Sequence, residues 1–309
     1  MKKVFVNFRF NEKQKAELEQ LCPEFSFVYE EAADARIIIG NYPVSKLQKF
    51  RQLEWIQTSA VGVDAYIRKG VLKDDTVLTN AVDVHTIEVA EHLLGVILMM
   101  IKRLHTYRDY QSDHLWKDAG KVKEISRLRV CIVGLGDIGS HLARLLKSLG
   151  VYVIGVKRSR INKPDYVDEL YLSEQLKEAI SNVDVVVSVI PGNSANRHLF
   201  DLDTFKAMRR DCILINAGRG NLYSEEVLLQ VLKEQIIEAV GTDVFETEPL
   251  PADSPLWDYP NLLITPHVAG GYHLSSASDR FFELAKDNLL RYHEGKKLRN
   301  IVEEREWNR

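Results

Sequence analysis

The chain has 309 residues, 45% of them hydrophobic and 28% charged, with a formal net charge of −3. That is the composition of a globular chain long enough for two ordinary domains, and the lack of a basic block leaves a nucleic-acid role without support. The three cysteines, Cys22, Cys131 and Cys212, are widely spaced and odd in number, which suits reduced packing residues and neither a disulfide framework nor a zinc site.

Lys3–Phe8 reads as an opening strand, because its apolar and polar residues alternate, unlike a signal peptide. Asn11–Leu21 follows as a helix with Asn11 as its cap. Short apolar runs at Phe25–Tyr29, Ala35–Gly40, Trp55–Thr58 and Thr76–Thr79, with helical segments between several of them, predict a small parallel α/β unit. From Val84 to about Tyr110 helical character is sustained and apolar on more than one face, so this helix is expected to be buried between domains or against another subunit. Its Leu93–Ile101 core is too short to span a bilayer before Lys102 and Arg103, so no membrane segment is expected and the cytoplasm is the expected location.

The stretch Arg129–Arg160 organises the remainder. Val130–Val133 is a short buried strand, followed at once by Gly134, Gly136 and Gly139 in G-x-G-x-x-G spacing. Ile138, Leu142, Leu145, Leu146 and Leu149 recur at helical spacing, Gly150 stops the helix, and Val151–Val156 forms a second strand. In this strand–helix–strand context the glycines fit a dinucleotide. Gly134 allows the tight turn, Gly136 removes a Cβ from the path of the pyrophosphate, and Gly139 lets helix and strand pack closely. The rhythm continues through Val183–Ile190, Cys212–Asn216, Ala239–Val244 and Leu262–Thr265, read as buried parallel strands. A final helix, about Ser275–Tyr292, is followed by a charged tail expected to close back on the first domain.

Ligands of open α/β sheets bind beyond the carboxyl ends of the strands. Arg219 follows one predicted strand, Asp243 to Glu248 follow the next, and His267 follows the last. Together they suit hydride chemistry on a 2-keto acid. Arg219 offers a planar fork to hold a carboxylate and polarise a carbonyl. His267 is suited to supply the proton for the developing alkoxide. A carboxylate beside it, assigned to Glu248, would favour the imidazolium and fix the ring tautomer.

At these residues the chain resembles the D-isomer-specific 2-hydroxyacid dehydrogenase family, specifically its glyoxylate/hydroxypyruvate reductase-like, NADP-preferring branch. The resemblance covers nearly the whole length and is carried by VGLGDIG at 133–139, NAGRG at 216–220, DVFETEP at 243–249 and TPHVAG at 265–270. It implies Arg219, Glu248 and His267 as the catalytic set. It also implies Asp243 on the nicotinamide carboxamide, and the main chain of SAVGVD (59–64), at Ala60, Val61 and Gly62, on the substrate carboxylate. The cofactor set comprises Gly134, Gly136, Asp137, Ile138, Gly139, Ile190, Pro191, Asn196, Ala217, Gly218, Asp243 and His267 at positions matching the family, together with Lys157, Arg158 and Ser159 from a turn that departs from it. Glu88 and Glu91 resemble the family's interdomain helix, which commonly helps form a homodimer. The implied fold is a Rossmann-type doubly wound parallel nucleotide-binding domain, expected at 99–276, plus a smaller flavodoxin-like α/β substrate domain, expected at 1–98 and 277–309.

Departures from the family pattern carry information too. NAD-using members usually have an acidic residue after the second strand, where this chain has Lys157-Arg158-Ser159-Arg160. Donors and positive charge there suit a 2′-phosphate, so NADP(H) is the preferred cofactor, with NAD(H) possible. Two threonines common in the family are Asn193 and Asn196 here, which leaves the local geometry open. Asp83 replaces a frequent glycine and would narrow or charge the substrate pocket. Tyr42, Trp116 and Tyr272 are either pocket-lining or packing aromatics. His85 with His92, and His267 with His273, complete no metal-ligand pattern, so no metal is expected. The rival readings are a dinucleotide-sensing corepressor-like protein and a dehydrogenase of another small anion such as phosphite. Formate-using relatives pair the histidine with glutamine, so Glu248 disfavours formate. A methyltransferase would explain the glycine loop but none of the later motifs.

Overall fold

The computed structural model describes residues 1–21, 23–159 and 162–303, so Cys22 and Arg160 lie outside the described residues. By packing, the chain divides into one unit of Met1–His85 with Tyr272–Arg309 and a second of Thr86–Gly271.

In the first unit the short apolar runs become β1 (Lys2–Val6), β2 (Phe25–Val28), β3 (Ile37–Ile39), β4 (Trp55–Gln57) and β5 (Val77–Thr79). All pair in parallel, in the order β2-β1-β3-β4-β5, which is the flavodoxin-like arrangement. Successive side chains point to opposite faces. Val4, Val6, Ile37, Ile39 and Trp55 therefore share a core with Leu18, Phe281 and Phe282, while Phe5, Ile38, Ile56 and Leu78 pack with Phe50 and Tyr66. Helix α1 (Glu12–Leu21) starts at the expected cap: Asn11 Oδ1 accepts from Gln14 N at 2.9 Å, and Gln14 Oε1 accepts from Asn11 N at 3.0 Å. The C-terminal helix (Ser275–His293) is tied to the sheet by Asn288, whose Nδ2 donates to buried Gln57 Oε1 at 2.8 Å. The chain then returns as expected, Val302 N donating to Leu78 O at 2.9 Å.

The second unit carries β6 (Arg129–Val133), β7 (Tyr152–Lys157), β8 (Glu169–Leu172), β9 (Val185–Ser188), β10 (Ile213–Asn216), β11 (Ala239–Thr242) and β12 (Leu262–Ile264). Its order, β12-β11-β10-β9-β6-β7-β8, is parallel throughout and reverses direction between β6 and β9, as in a Rossmann sheet. Its helices are α2 (Thr86–Ile101), α3 (Leu104–Ser112), α4 (Asp137–Ser148), α5 (Leu176–Ile180), α6 (Leu202–Lys206) and α7 (Glu225–Glu234).

Three features differ from the sequence expectation. The single helix expected over 84–110 is two, because Arg103 takes a left-handed conformation (φ +55°) between α2 and α3. The boundaries fall at 85/86 and 271/272 instead of 98/99 and 276/277. All of α2 goes to the second unit because Val89, Ala90, Leu93 and Ile97 share a core with Leu142 and Leu146 of α4 and with Ile132 and Ile215 of the sheet. Strand β8 was not anticipated: ELYL is half-buried at the sheet edge and offers no apolar run. Cys131 and Cys212 are buried free thiols, as expected of packing residues, and burial pushes the Cys212 thiol up to about 12. Among the described residues no helix is long and apolar enough to cross a membrane, and no three His, Cys, Asp or Glu side chains are grouped to hold a metal ion.

Candidate active site

The glycine turn links β6 to α4. Gly134 has φ +108°, a conformation that disfavours any side chain, and its N–H donates to Val156 O of β7 at 3.0 Å. A Cβ on Gly139 would collide with the carbonyl of Gly134, so helix and turn touch backbone to backbone. At Gly136 the reverse holds: a Cβ would meet nothing within 4 Å. The turn is thus closed toward the protein and open at Gly136, where the first N–H groups of α4, at Asp137, Ile138 and Gly139, supply donors for an anion. Ile190 lies over the turn, its Cγ2 2.9 Å from where a Gly134 Cβ would stand. Lys157, half-buried at the end of β7, donates from Nζ to Leu135 O at 3.3 Å, while Arg158 and Ser159 are exposed beyond it.

Asn193 and Asn196 close their own loop. Asn196 N donates to Asn193 Oδ1 at 3.0 Å and Asn196 Nδ2 to Pro191 O at 2.8 Å. Their amides do locally what a threonine hydroxyl does in a turn.

The loops after β10, β11 and β12 hold the remaining candidates. Ala217 N donates to Ser188 O at 3.1 Å, and Asn216 Oδ1 accepts from Gly218 N at 3.1 Å while its Nδ2 donates to Arg219 O at 3.0 Å. Asn216, which sequence reasoning did not single out, therefore shapes the turn that presents half-buried Arg219. The Arg219 guanidinium donates to Gly218 O at 2.8 Å. The neighbouring Gly220 has no room for a Cβ against the backbone of Phe245, which brings this turn against the loop after β11. There Phe245 N donates to Glu248 Oε1 at 2.9 Å, and Glu248 Oε2 meets His267 Nδ1 at 2.7 Å. The pair is accessible, with His267 50% and Glu248 36% exposed.

Asp243 is buried and heavily engaged. Its Oδ1 accepts from Thr265 Oγ1 at 2.6 Å and from Val268 N at 2.9 Å, and its Oδ2 from Ala269 N at 3.0 Å. Its carbonyl accepts from His267 N at 2.8 Å, and His267 itself is left-handed, φ +53°. That conformation costs roughly 1–2 kcal/mol for a residue with a Cβ, so the loop is held in place by its surroundings.

In the first unit the carbonyls of the 59–61 segment are all engaged. Ser59 O accepts from the Tyr272 hydroxyl and meets His85 Nε2 at 3.0 Å, Ala60 O accepts from Ala81 N at 3.0 Å, and Val61 O from Asn80 Nδ2 at 3.1 Å. Tyr272 thereby shapes the segment bearing Ala60, Val61 and Gly62. Tyr42 is a packing residue, its ring edge-on to Phe50 at 5.1 Å, and Trp116 is fully exposed. Exposed Asp83 has φ +72°, which explains the family's glycine there as a left-handed turn position. Glu88 is buried and Glu91 exposed on α2.

The family model described as D-isomer specific 2-hydroxyacid dehydrogenase, NAD binding domain, matches residues 94–269, more than half of the chain. The chain belongs to this family. Membership makes the protein an oxidoreductase of the D-2-hydroxyacid dehydrogenase class, as the four motifs implied, and the Rossmann-type α/β fold agrees. The chain is 28% identical over 286 residues to a glyoxylate/hydroxypyruvate reductase of Arabidopsis thaliana, covering 91% of this chain and 86% of that one. A family protein from Aeromonas salmonicida superposes with TM-score 0.87 at 29% identity, over 98% of this chain and 99% of that one. The NADPH-dependent glyoxylate/hydroxypyruvate reductase of Sinorhizobium meliloti, solved with NADP and sulfate, does so with TM-score 0.84 at 25% identity, over 99% and 100%.

Proposed function

We propose that this dehydrogenase reduces small 2-keto acids, such as glyoxylate or hydroxypyruvate, to D-2-hydroxy acids, and that it prefers NADPH to NADH. The observation that carries the reading is the His267–Glu248 pair at 2.7 Å, held at the carboxyl edge of a Rossmann sheet beside the Arg219 turn. The residues present fit a dinucleotide, since the glycine turn leaves open at Gly136 the volume a Cβ would fill. A bound reduced nicotinamide supplies the hydride.

The chain's own groups do the rest. The cofactor would be held by Gly134, Gly136, Asp137, Ile138 and Gly139 at the diphosphate, by Ile190, Pro191, Asn196, Ala217 and Gly218 along its length, and by Asp243 at the carboxamide. A carboxylate has about four acceptor sites, and three on Asp243 are occupied, leaving one on Oδ2 for a carboxamide N–H. Arg219 binds the substrate carboxylate and polarises the 2-keto oxygen. Because His267 Nδ1 is taken by Glu248, Nε2 is the nitrogen that hands a proton to the developing alkoxide. In the first unit, the amides of Ala60, Val61 and Gly62, whose segment has its carbonyls tied back, are donors suited to a substrate carboxylate. Lys157, Arg158 and Ser159 favour a 2′-phosphate: they stand where NAD-using members usually carry an acid, and each charge-assisted bond is worth roughly 1.5–3 kcal/mol.

A homodimer completes the reading. Leu104 and Leu115 (each 51% exposed), Trp116 (105%) and Val122 (50%) lie close together in sequence, and pairing would cover them. A monomer in sedimentation equilibrium would remove this part.

The test is a panel of 2-keto acids, with phosphite for the oxidative direction, assayed with NADPH and NADH in parallel. Steady NADPH consumption with glyoxylate or hydroxypyruvate is expected. Dinucleotide binding without turnover of any keto acid would favour a corepressor-like protein, and NADP+ reduction by phosphite alone would move the substrate to that anion.

A further inference from the structure

Asp243 anchors the loop of His267 through three donors, and one of these is itself held from elsewhere. Thr265 Oγ1 lies 2.6 Å from Asp243 Oδ1 and 3.3 Å from Nε2 of His92, which projects from α2. A hydroxyl has one proton, and the bond to the carboxylate takes it, so toward His92 the oxygen can only accept. His92 must therefore carry a proton on Nε2. The order of donation is fixed: His92 Nε2–H to Thr265 Oγ, and Thr265 O–H to Asp243 Oδ1. His92, Asn216, Thr242, Asp243 and Thr265 border a small adjoining cavity.

We propose that Thr265 and His92 are positioning residues for the reaction proposed above, on whose acid–base assignment this inference rests. The hydroxyl holds Asp243 Oδ1 so that the carboxylate can also take the amides of Val268 and Ala269, one residue and two residues beyond His267. Those three bonds, with the Asp243 carbonyl on His267 N, hold the left-handed backbone of His267 and hence the register of its Nδ1 with Glu248. The same arrangement fixes the carboxylate whose remaining acceptor site, on Oδ2, would take an N–H of the nicotinamide carboxamide. A helix packed on the far side of the loop thus sets the proton donor without touching substrate or cofactor.

The test compares Thr265→Val, Thr265→Ser and His92→Leu with wild type. The readouts are kcat with glyoxylate and NADPH, the NADPH dissociation constant, and the low-field proton resonance of the His267 Nδ1–H···Glu248 bond in the unligated protein. Thr265→Val is expected to lower kcat about 10- to 100-fold and to shift or broaden that resonance. Thr265→Ser should restore kcat to within about threefold of wild type and return the resonance to its wild-type position. His92→Leu should lower kcat several-fold with the same spectral change. A Thr265→Val protein with wild-type kcat and an unmoved resonance overturns the proposal. Should that variant not fold, an unchanged kcat and resonance in His92→Leu overturns it. An inactive wild type whose resonance is still lost in Thr265→Val would fault the proposed function and leave the positioning standing. An active wild type with indifferent variants faults the positioning alone.

Discussion

Glu248→Gln isolates the charge of the histidine's partner, since it keeps the side-chain volume. The native carboxylate accepts two bonds, from Phe245 N at 2.9 Å and from His267 Nδ1 at 2.7 Å. A glutamine carbonyl that stays on His267 leaves its NH2 group facing the Phe245 N–H, donor to donor. The bond to the protonated ring loses its anionic acceptor and keeps only its charged donor, a loss of roughly 1–2 kcal/mol. The pair is half-open, 50% and 36% exposed, and solvent screening argues against a larger figure. On that basis kcat falls about 5- to 30-fold. The NADPH dissociation constant should stay near the wild-type value, because no phosphate-facing group is altered. Steady-state kinetics with glyoxylate, paired with fluorescence titration of NADPH, reads both quantities. A kcat equal to wild type would remove Glu248 from the mechanism. A loss as complete as that of His267→Ala would refute the modest, solvent-screened magnitude assigned to the Glu248 charge.

Two further outcomes are expected. Arg158→Asp should lower kcat/KM with NADPH about 10- to 100-fold while sparing NADH, and equal losses with both cofactors would make the basic turn structural. Asp201 caps α6, accepting from the Thr204 hydroxyl at 2.7 Å and the Thr204 N–H at 2.8 Å, and these bonds hold its carboxyl below the usual range. Asp201→Ala should therefore cost about 1 kcal/mol in denaturant unfolding at neutral pH. A depressed native pKa stabilises above the unfolded value and is lost as pH falls through the folded one, so the gap should close below about pH 4. A gap that persists in acid would refute the cap as its source.

The elements most legible in the sequence are those whose signal is local. The β6–α4–β7 unit is marked by a β-branched run, three glycines and a helical apolar stripe, and the structure puts strand, turn and helix there within a residue or two. The parallel α/β character of the first sheet follows from its short apolar runs, while its flavodoxin-like order was implied by the family resemblance. What escaped depends on single backbone angles or on distant partners. Nothing in the composition of 84–110 announces a left-handed Arg103, and α2 joins the second unit through side chains of α4, β6 and β10. In the candidate site, the His267–Glu248 pairing was readable because both follow adjacent predicted strands. The role of Asp243 as anchor was not, because its partners Thr265, Val268 and Ala269 gain meaning only when β11 and β12 are paired. Asn193 and Asn196 were ambiguous for the opposite reason: their bonds are so local that neither periodicity nor strand order bears on them.

Transfer of deuterium from NADPH carrying deuterium at both C4 positions of the nicotinamide tests the central claim most directly. The account predicts label at C2 of a D-2-hydroxy acid formed by wild-type protein, and none formed by His267→Ala even though that variant still binds NADPH. Wild-type protein that binds NADPH yet moves no label to any 2-keto acid, or a His267→Ala variant that moves it undiminished, would contradict the account.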